Sequence, residues 1–271
     1  MAHNPLISES DAFQLELLRF WESELAKPRH ADPKRLLRYG FKVYSQCEED
    51  GIIQEIFKRI GVTNRTFLEF GVQSGIECNT AKLLIEGWNG LWLEGRKSFV
   101  AKIRTTLRSF IEKRFLAVTQ AFVTAENINP LIEKGGLSGE IDLLSIDIDN
   151  NDYWVWKAIS VINPRLVVIE YNATLPPPLS LVVPYDPSRE MSGTNYFGAS
   201  LEALVRLGRS KGYRLVGCNF SGSNAFFVRN DLAGDLFLDP PTAEEHYEPP
   251  RYFFGYLKSG HPPQVGPYLS V

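Results

Sequence analysis

The chain has 271 residues, of which 44% are hydrophobic and 23% are charged, and its formal net charge is −3. This composition is typical of a globular protein, and the length suits one core domain with appended segments. The small negative charge and the lack of a Lys/Arg run argue against nucleic acid as a partner, and no apolar run reaches the roughly 20 residues that cross a bilayer.

Residues 11–26 carry Phe, Leu and Trp side chains at helical spacing, which predicts an amphipathic helix with Asp11 at its N-cap. Prolines in the stretch that follows interrupt this pattern. We therefore expect residues 1–40 to form an N-terminal helical appendage that covers the core, the substrate entrance or a partner subunit. The first residues lack the basic and apolar regions of a secretory signal, so we expect a cytoplasmic protein.

A second helix is predicted to begin at Ser45, which forms a capping-box pattern with Glu48, and to end at Gly61. From residue 65 onward, short apolar strands alternate with helices. The predicted strands are 65–70, 89–94, 115–118, 141–148 and 165–171, and the predicted helices between them are 77–87, 97–113, 126–134 and 153–159. Nearly continuous apolar strands in this alternation indicate a doubly wound parallel sheet with helices on both faces.

The end of the pattern differs from its beginning. After a predicted helix at 199–211, the strands 213–218 and 225–229 follow each other too closely for a parallel crossover, so they must be antiparallel neighbours. The sequence therefore predicts an α/β fold with a doubly wound, seven-stranded, mostly parallel sheet and a terminal antiparallel hairpin. This core spans residues 41–238, and residues 239–271 form a tail rich in proline and aromatic residues.

A glycine-containing loop follows the first predicted strand and precedes the next helix. Gly71 and Gly75 permit the sharp turn and close ligand approach that a cofactor needs there. Glu69 and Glu94 end two strands, where carboxylates would repel a diphosphate and suit a cofactor with an ammonium and a sulfonium group. Glu94 also stands where an acid accepts hydrogen bonds from ribose hydroxyls. The alternative is an ordinary strand–helix turn with two solvated carboxylates.

Five segments resemble class I S-adenosylmethionine (SAM)-dependent methyltransferases, especially the FkbM-type branch: SQCEEDGI, FLEFGVQSGIECNT, GLWLEG, LLSIDIDNNDYWVWKAI and RLVVIEYNA. The resemblance covers roughly residues 40–235 and implies methyl transfer, commonly to a hydroxyl of a sugar or natural product. By motif, Glu69, Gly71 and Gly75 would line the cofactor, Glu94 would hold its ribose, and Gln46 and Asp50 would touch its amino-acid end. Gln73 stands where the family has a glycine. We also expect Gln73 and Asp147 to contact the cofactor.

Acidic residues follow the fourth and fifth predicted strands. Asp147 and Asp149 lie on one side of the fourth strand, and Glu170 and Asn172 on one side of the fifth. We expect Asp149 and Asp147 to be catalytic, and Asp149, Glu170 and Asn172 to be able to hold Mg²⁺ or another divalent cation. Asp149 could instead act alone as a general base, or the acids could serve only to turn the chain and cap the next helix.

The long connection after the fifth strand is expected to bind the substrate through Tyr185, Arg189 and Tyr196. None of the four histidines lies in a motif, although His30 and His246 could reach the entrance from the appended segments. The three cysteines, few and widely spaced, are expected to be reduced thiols.

The leading hypothesis is a SAM-dependent O-methyltransferase that acts on a small polar acceptor, a sugar or natural product, with or without a divalent cation. One alternative is an NAD(P)-dependent oxidoreductase on a similar sheet, against which the missing GxGxxG motif and the terminal hairpin argue. The other is a non-catalytic binding module of the same fold. Whether the chain forms a homo-oligomer is left open.

Overall fold

The computed structural model describes residues 9–189, 192–253 and 260–271. The strands in chain order are β1 (Thr66–Phe70), β2 (Asn89–Glu94), β3 (Leu116–Gln120), β4 (Gly139–Ile146), β5 (Ile162–Glu170), β6 (Leu181–Val182), β7 (Tyr213–Cys218), β8 (Asn224–Arg229) and β9 (Leu269–Ser270). The helices are α1 (Glu9–Leu25), α2 (Glu49–Ile60), α3 (Ala81–Ile85), α4 (Lys97–Thr106), α5 (Arg108–Glu112), α6 (Ile128–Lys134), α7 (Asp152–Ala158), α8 (Leu201–Ser210), α9 (Asn230–Ala233) and α10 (Ala243–His246).

Seven strands form one sheet in the order β3-β2-β1-β4-β5-β8-β7. The first five are parallel, whereas β8 is antiparallel to both β5 and β7. The predicted fold class is thus confirmed, including the terminal hairpin. The order reverses between β1 and β4, and at such a point the carboxyl ends of the strands open a crevice.

Both faces of the sheet are covered by helices. Successive residues of β5 alternate between two hydrophobic clusters, with Val167 in one and Val168 in the other. The first cluster packs α6, α7 and α8 against the sheet, and the second packs α2, α3 and α4. Cys47, Cys78 and Cys218 are free and buried, in agreement with the expectation of reduced thiols.

The helix predictions were wrong in several details. The helix predicted at 77–87 is reduced to α3, and the one predicted at 97–113 is divided at Leu107 into α4 and α5. The capping box of Ser45 and Glu48 does not form: α2 begins at Glu49, and the Ser45 hydroxyl accepts a hydrogen bond from the backbone nitrogen of Asp50 (3.2 Å). The pair β6 and β9 was not predicted, because strands of two residues carry no readable pattern.

The segments at the two ends of the chain contact each other. A guanidinium nitrogen of Arg29 donates to Glu248 across 2.9 Å, and Arg35 forms an ion pair with Glu245. Leu36 and Leu37, which follow Arg35, are buried in the structure. None of the helices that the structure describes is long and apolar enough to cross a membrane.

Candidate functional site

A cavity of ≈ 340 Å³ opens at the carboxyl ends of β1, β2, β3 and β4. This volume falls within the range of small-molecule and cofactor sites. Its acidic wall is formed by Glu94, Asp147 and Asp149, and two cations, Arg96 and Arg189, also line it. The cavity lies at the edge of the sheet where the sequence placed the cofactor.

The loop after β1 is held tightly against neighbouring strands. A Cβ atom added to Gly71 (φ +81°) would lie 1.5 Å from the carbonyl oxygen of Asp147, and one added to Gly75 (φ +73°) would lie 2.5 Å from the Trp92 ring. Only glycine fits such positions, because its φ is free and it has no side chain. Gln73 adopts a left-handed φ of +50°, the conformation that a glycine would suit at this position.

Glu94 fixes that loop. One of its carboxylate oxygens accepts from the backbone nitrogen of Gln73 and the other from that of Arg96, each across 2.8 Å. A carboxylate has about four acceptor positions, so about two remain for a ligand. Gly71, Gln73, Glu94 and Asp147 line the cavity, as the sequence predicts for residues that bind the cofactor.

Glu69 does not face the cavity, contrary to prediction. It is 3% exposed, and its carboxylate accepts from the backbone nitrogens of Asn79 (2.9 Å) and Thr80 (3.0 Å) and from the hydroxyls of Thr80 (2.5 Å) and Ser145 (3.0 Å). Burial raises the pKa of Glu69, and these hydrogen bonds oppose the rise. Glu69 therefore holds the start of α3 against β1 and β4.

Three other predicted cofactor residues also lie outside the cavity lining. Asp50 uses one carboxylate oxygen to accept from the backbone nitrogens of Val43 (2.7 Å), Tyr44 (2.6 Å) and Ser45 (2.9 Å), so it shapes the loop before α2. Gln46 belongs to the same loop, and its backbone carbonyl accepts from the Lys42 ammonium (2.9 Å). Gly75 acts only through the backbone turn described above.

The acidic residues after β4 and β5 converge. One carboxylate oxygen each of Asp147, Asp149 and Glu170 lies within 4.8 Å of the others. Burial raises the pKa of all three, and neighbouring carboxylates raise those of Asp147 and Glu170 further. Asp149 has a left-handed φ of +70°, which Asp tolerates better than most residues.

Asn172 does not join this cluster, so the predicted ligand set is wrong in that member. Its amide nitrogen donates to the carbonyls of Asn195 (2.8 Å) and Phe197 (2.9 Å), and its amide oxygen accepts from the backbone and hydroxyl of Thr174. Asn172 is fully buried and ties the long loop after β5 to the sheet. Asp147 occupies the place in the cluster that was assigned to Asn172.

Of the three predicted substrate residues, only Arg189 lines the cavity. Its guanidinium lies 5.5 Å from the centre of the Tyr196 ring, so Tyr196 makes a cation–π contact with Arg189. Tyr196 donates to the carbonyl of Pro267 (2.5 Å), and Tyr185 donates to Glu126 (2.5 Å). Both tyrosines lie outside the cavity lining, because their hydroxyls fasten the loop after β5 to other segments.

Sequence reasoning missed several lining residues, among them Arg96, Phe99, Phe122 and Val123. Phe122 is 62% exposed, an unusual state for a large aromatic ring in a folded protein. The available signal was position: Phe122 and Val123 follow β3, whose carboxyl end shares the edge of the sheet with those of β1 and β2.

Neither of the two histidines that could reach the entrance from the appended segments lies on the cavity. His30 and His246 are 2% and 4% exposed and do not line the cavity. Burial, with the nearby cations Arg29 and Arg35, lowers the pKa of His30 to about 4, and burial with Arg35 lowers that of His246 to about 3. Burial raises the pKa of Asp149, and Arg96 and then His261 oppose that rise.

No family model and no curated protein matches this chain. Among solved structures, the SAH-bound N-terminal domain of EvdMO1 is similar at 14% identity and a TM-score of 0.43, over 83% of this chain and 98% of that one. The O-methyltransferase from Bacillus cereus in complex with SAH gives 14% identity, a TM-score of 0.43 and coverages of 83% and 92%. The glycopeptide N-methyltransferase MtfA complexed with sinefungin is similar at 15% identity and a TM-score of 0.42, over 78% of this chain and 96% of that one.

Proposed function

We propose that this protein is a SAM-dependent O-methyltransferase. The observation that carries the proposal is the position of Glu94, at the end of β2 and on the cavity wall, with acceptor positions left after it has bound the backbone of Gln73 and Arg96. Together with Asp147 and Asp149 it makes one wall of the cavity acidic. A cationic cofactor suits that wall, and a dinucleotide diphosphate does not.

The residues present fit such a cofactor. Gly71 leaves no space for a side chain between the loop and Asp147, and it lines the cavity with backbone atoms alone. Glu94 would hold the ribose hydroxyls, and Phe99, Phe122 and Val123 offer apolar and aromatic surface for a purine. When bound, SAM supplies a methyl group made electrophilic by its sulfonium.

The chain's own residues would position the acceptor and remove its proton. Asp149 lines the cavity, and burial raises its pKa, which makes its carboxylate a better proton acceptor than that of an exposed Asp. Arg189, stacked on Tyr196, would orient a polar acceptor such as a sugar or natural product with a free hydroxyl. Proximity and orientation account for a large part of the rate in such transfers.

Isothermal titration of the full chain with SAH and, separately, with NADH tests the cofactor. We expect saturable binding of SAH at one site per chain and no binding of NADH. Binding of NADH without binding of SAH would overturn the proposal in favour of an oxidoreductase. Binding of neither compound would leave a non-catalytic module of the same fold. A chain that binds SAH is then incubated with SAM and a panel of glycosides, and mass spectrometry is expected to detect a methylated hydroxyl.

A further inference from the structure

Residues 186–189 form a tight turn that carries Arg189 to the cavity. The backbone nitrogen of Arg189 donates to the carbonyl of Asp186 (3.1 Å), which closes the turn. Pro187 fixes φ at the second position, and Oδ1 of Asp186 accepts from the backbone nitrogen (3.0 Å) and the hydroxyl (2.7 Å) of Ser188. The sequence Asp-Pro-Ser-Arg therefore specifies the turn locally, and both Pro187 and Arg189 line the cavity.

Hydrogen bonds fasten this turn to two neighbouring segments. The amide nitrogen of Asn151, which lies between β4 and α7, donates to the backbone carbonyl of Asp186 (2.9 Å). Tyr185, the residue before the turn, donates from its hydroxyl to Glu126 (2.5 Å) and accepts there from the backbone nitrogen of Ala125 (3.1 Å). A group that is held in place before a ligand arrives loses less conformational entropy on binding. The arginine at the end of the turn is thus positioned in advance.

The guanidinium of Arg189 makes few polar contacts with the protein. Its closest carboxylate among the described residues is that of Asp186, whose Oδ2 lies 3.9 Å from Nε, beyond hydrogen-bond distance. Within the described part of the chain, no atom accepts a hydrogen bond from either terminal nitrogen of Arg189, although the side chain is only 28% exposed. A guanidinium has five N–H donors in a planar fork, and donors that are withdrawn from water without an acceptor cost free energy.

The charge of Arg189 does not serve the acidic residues of the cavity. Arg96 and then His261 oppose the rise that burial causes in the pKa of Asp149, and Arg189 is not among the groups that shift this pKa. The main influences on the pKa of Asp147 are burial and other carboxylates. The positive charge and the unused donors of Arg189 are therefore available to a group that enters the cavity from outside.

We propose that Arg189 binds an oxyanion of the acceptor, a carboxylate or a phosphate, through the terminal nitrogens of its guanidinium. Pairs of this kind are commonly bidentate, and their hydrogen bonds are stronger than those between neutral groups. The Tyr196 ring contacts the same guanidinium without accepting its N–H groups in hydrogen bonds. That the oxyanion belongs to a methyl acceptor rests on the proposed function, whereas the binding of an oxyanion by Arg189 does not.

An acceptor with both a hydroxyl and an oxyanion would be bound at two points. Asp149, the proposed proton acceptor, and Arg189 line the same cavity. Contact of the oxyanion with Arg189 would restrict the orientations in which the hydroxyl approaches Asp149. A neutral glycoside would leave the guanidinium without its partner, and sites built around a polar contact discriminate strongly against ligands that lack it. The substrate class is therefore an acidic sugar, a sugar phosphate or a natural product that carries a carboxylate.

The test uses the full chain, with and without SAH, and inorganic phosphate, acetate and chloride as probes. Nuclear magnetic resonance of the arginine Nε–H groups observes Arg189 directly, and its signal is the one missing from Arg189→Gln. We expect phosphate or acetate to shift this signal saturably, and chloride at the same ionic strength to have no such effect. A response to phosphate alone indicates a phosphorylated acceptor, and a response to acetate alone indicates a carboxylate. No saturable shift with either anion, or an equal shift with chloride, would overturn the proposal.

Isothermal titration with the responding anion compares the variants. Arg189→Gln removes the charge and Arg189→Lys keeps it without the fork, and we expect each to weaken binding at least about tenfold. Arg209→Gln, a matched change at an exposed position on α8, should leave the affinity unchanged. Equal melting temperatures of the variants and the wild type show that the fold is intact. Wild-type affinity in Arg189→Gln would assign the anion to another site and refute the proposal.

Titration with SAH keeps the two proposals apart. If SAH binds and neither phosphate nor acetate binds at Arg189, the oxyanion site is refuted and the methyltransferase proposal stands. If one of these anions binds at Arg189 and SAH does not bind, the oxyanion site stands and the methyltransferase proposal is refuted.

Discussion

Asp142 lies in the middle of β4 and Asp147 directly after its carboxyl end, and the two are in opposite electrostatic environments. Asp142 is fully buried, accepts from the backbone nitrogens of Thr63, Asn64 and Arg65 (2.9, 2.9 and 2.6 Å), and lies 3.3 Å from a guanidinium nitrogen of Arg165. Asp147 lies among other carboxylates. One strand therefore carries a stabilising carboxylate in its middle and is followed by a destabilising one beyond its carboxyl end.

We predict opposite effects on stability for the same substitution at these positions. Asp142→Asn places amide hydrogens against backbone donors and leaves Arg165 without its buried partner, at a cost of about 3 kcal/mol in the free energy of unfolding. Asp147→Asn removes a repelled charge and should leave the stability unchanged or raise it by up to about 1 kcal/mol. Urea unfolding at neutral pH measures both, and equal losses would contradict the electrostatic assignment.

Gly71 and Gly87 provide a matched pair of alanine substitutions. Both have positive φ angles, +81° and +84°, but a Cβ atom at Gly87 meets nothing within 4 Å, whereas one at Gly71 meets the carbonyl of Asp147. Gly87→Ala should cost only the backbone strain, about 1–2 kcal/mol. Gly71→Ala should cost clearly more and should also weaken SAH binding, because the loop or the Asp147 backbone must move. Calorimetric melting and SAH titration compare the two, and equal losses would mean that close packing at Gly71 is unimportant.

Much of the fold could be predicted because its signals are local. The strands are nearly continuous apolar runs, and the short gap between β7 and β8 excludes a parallel crossover. The division of the helix at Leu107 has no counterpart in the apolar pattern, and the pairing of β6 with β9 joins segments far apart in the chain. Such features depend on tertiary contacts that a single sequence does not display.

The candidate site shows the same limit more clearly. The rule that parallel strands present ligands at their carboxyl ends correctly placed Glu94, Asp147 and Asp149 on the cavity. It failed for Glu69, because the segment after the loop folds back and donates the backbone nitrogens of Asn79 and Thr80 to that carboxylate. It failed for Asn172 for a related reason, since a distant loop accepts from its amide nitrogen and Thr174 donates to its amide oxygen. Position in the sequence predicts which strand end carries a side chain, but it does not predict which hydrogen-bond partners that side chain has in the folded protein.

Glu94→Gln should weaken SAH binding more than it weakens the fold. An amide has only one accepting oxygen, so its nitrogen must face the backbone nitrogen of Gln73 or Arg96, or a ribose hydroxyl. We expect a rise of about tenfold or more in the dissociation constant of SAH, equivalent to about 1.4 kcal/mol or more. Isothermal titration measures it, with the exposed Glu133→Gln as the control. Unchanged affinity with Glu94→Gln would remove Glu94 from the proposed ribose contact.

The buried pair Glu48 and Glu49 predicts how stability depends on pH. Glu48 is 6% exposed and accepts from the backbone nitrogen of Phe220, while burial and the adjacent Glu49 raise its pKa to about 8. The neighbouring Cys47 thiol also has a raised pKa, so it stays protonated in this range. The carboxyl of Glu48 in the unfolded chain titrates near a pKa of about 4.3.

Between these two pKa values the folded protein binds a proton that the unfolded chain has released. The contribution of Glu48 is therefore complete below about pH 4 and is lost as the pH rises towards its folded pKa, with a slope of at most about 1.4 kcal/mol per pH unit. Glu48→Gln retains the oxygen that accepts from Phe220 and cannot ionise. We expect it to flatten the decline in urea-unfolding free energy between about pH 5 and pH 8, and to make the variant more stable than the wild type at the upper end. The exposed Glu77→Gln should reproduce the wild-type decline, and an unchanged decline in Glu48→Gln would show that other groups cause it.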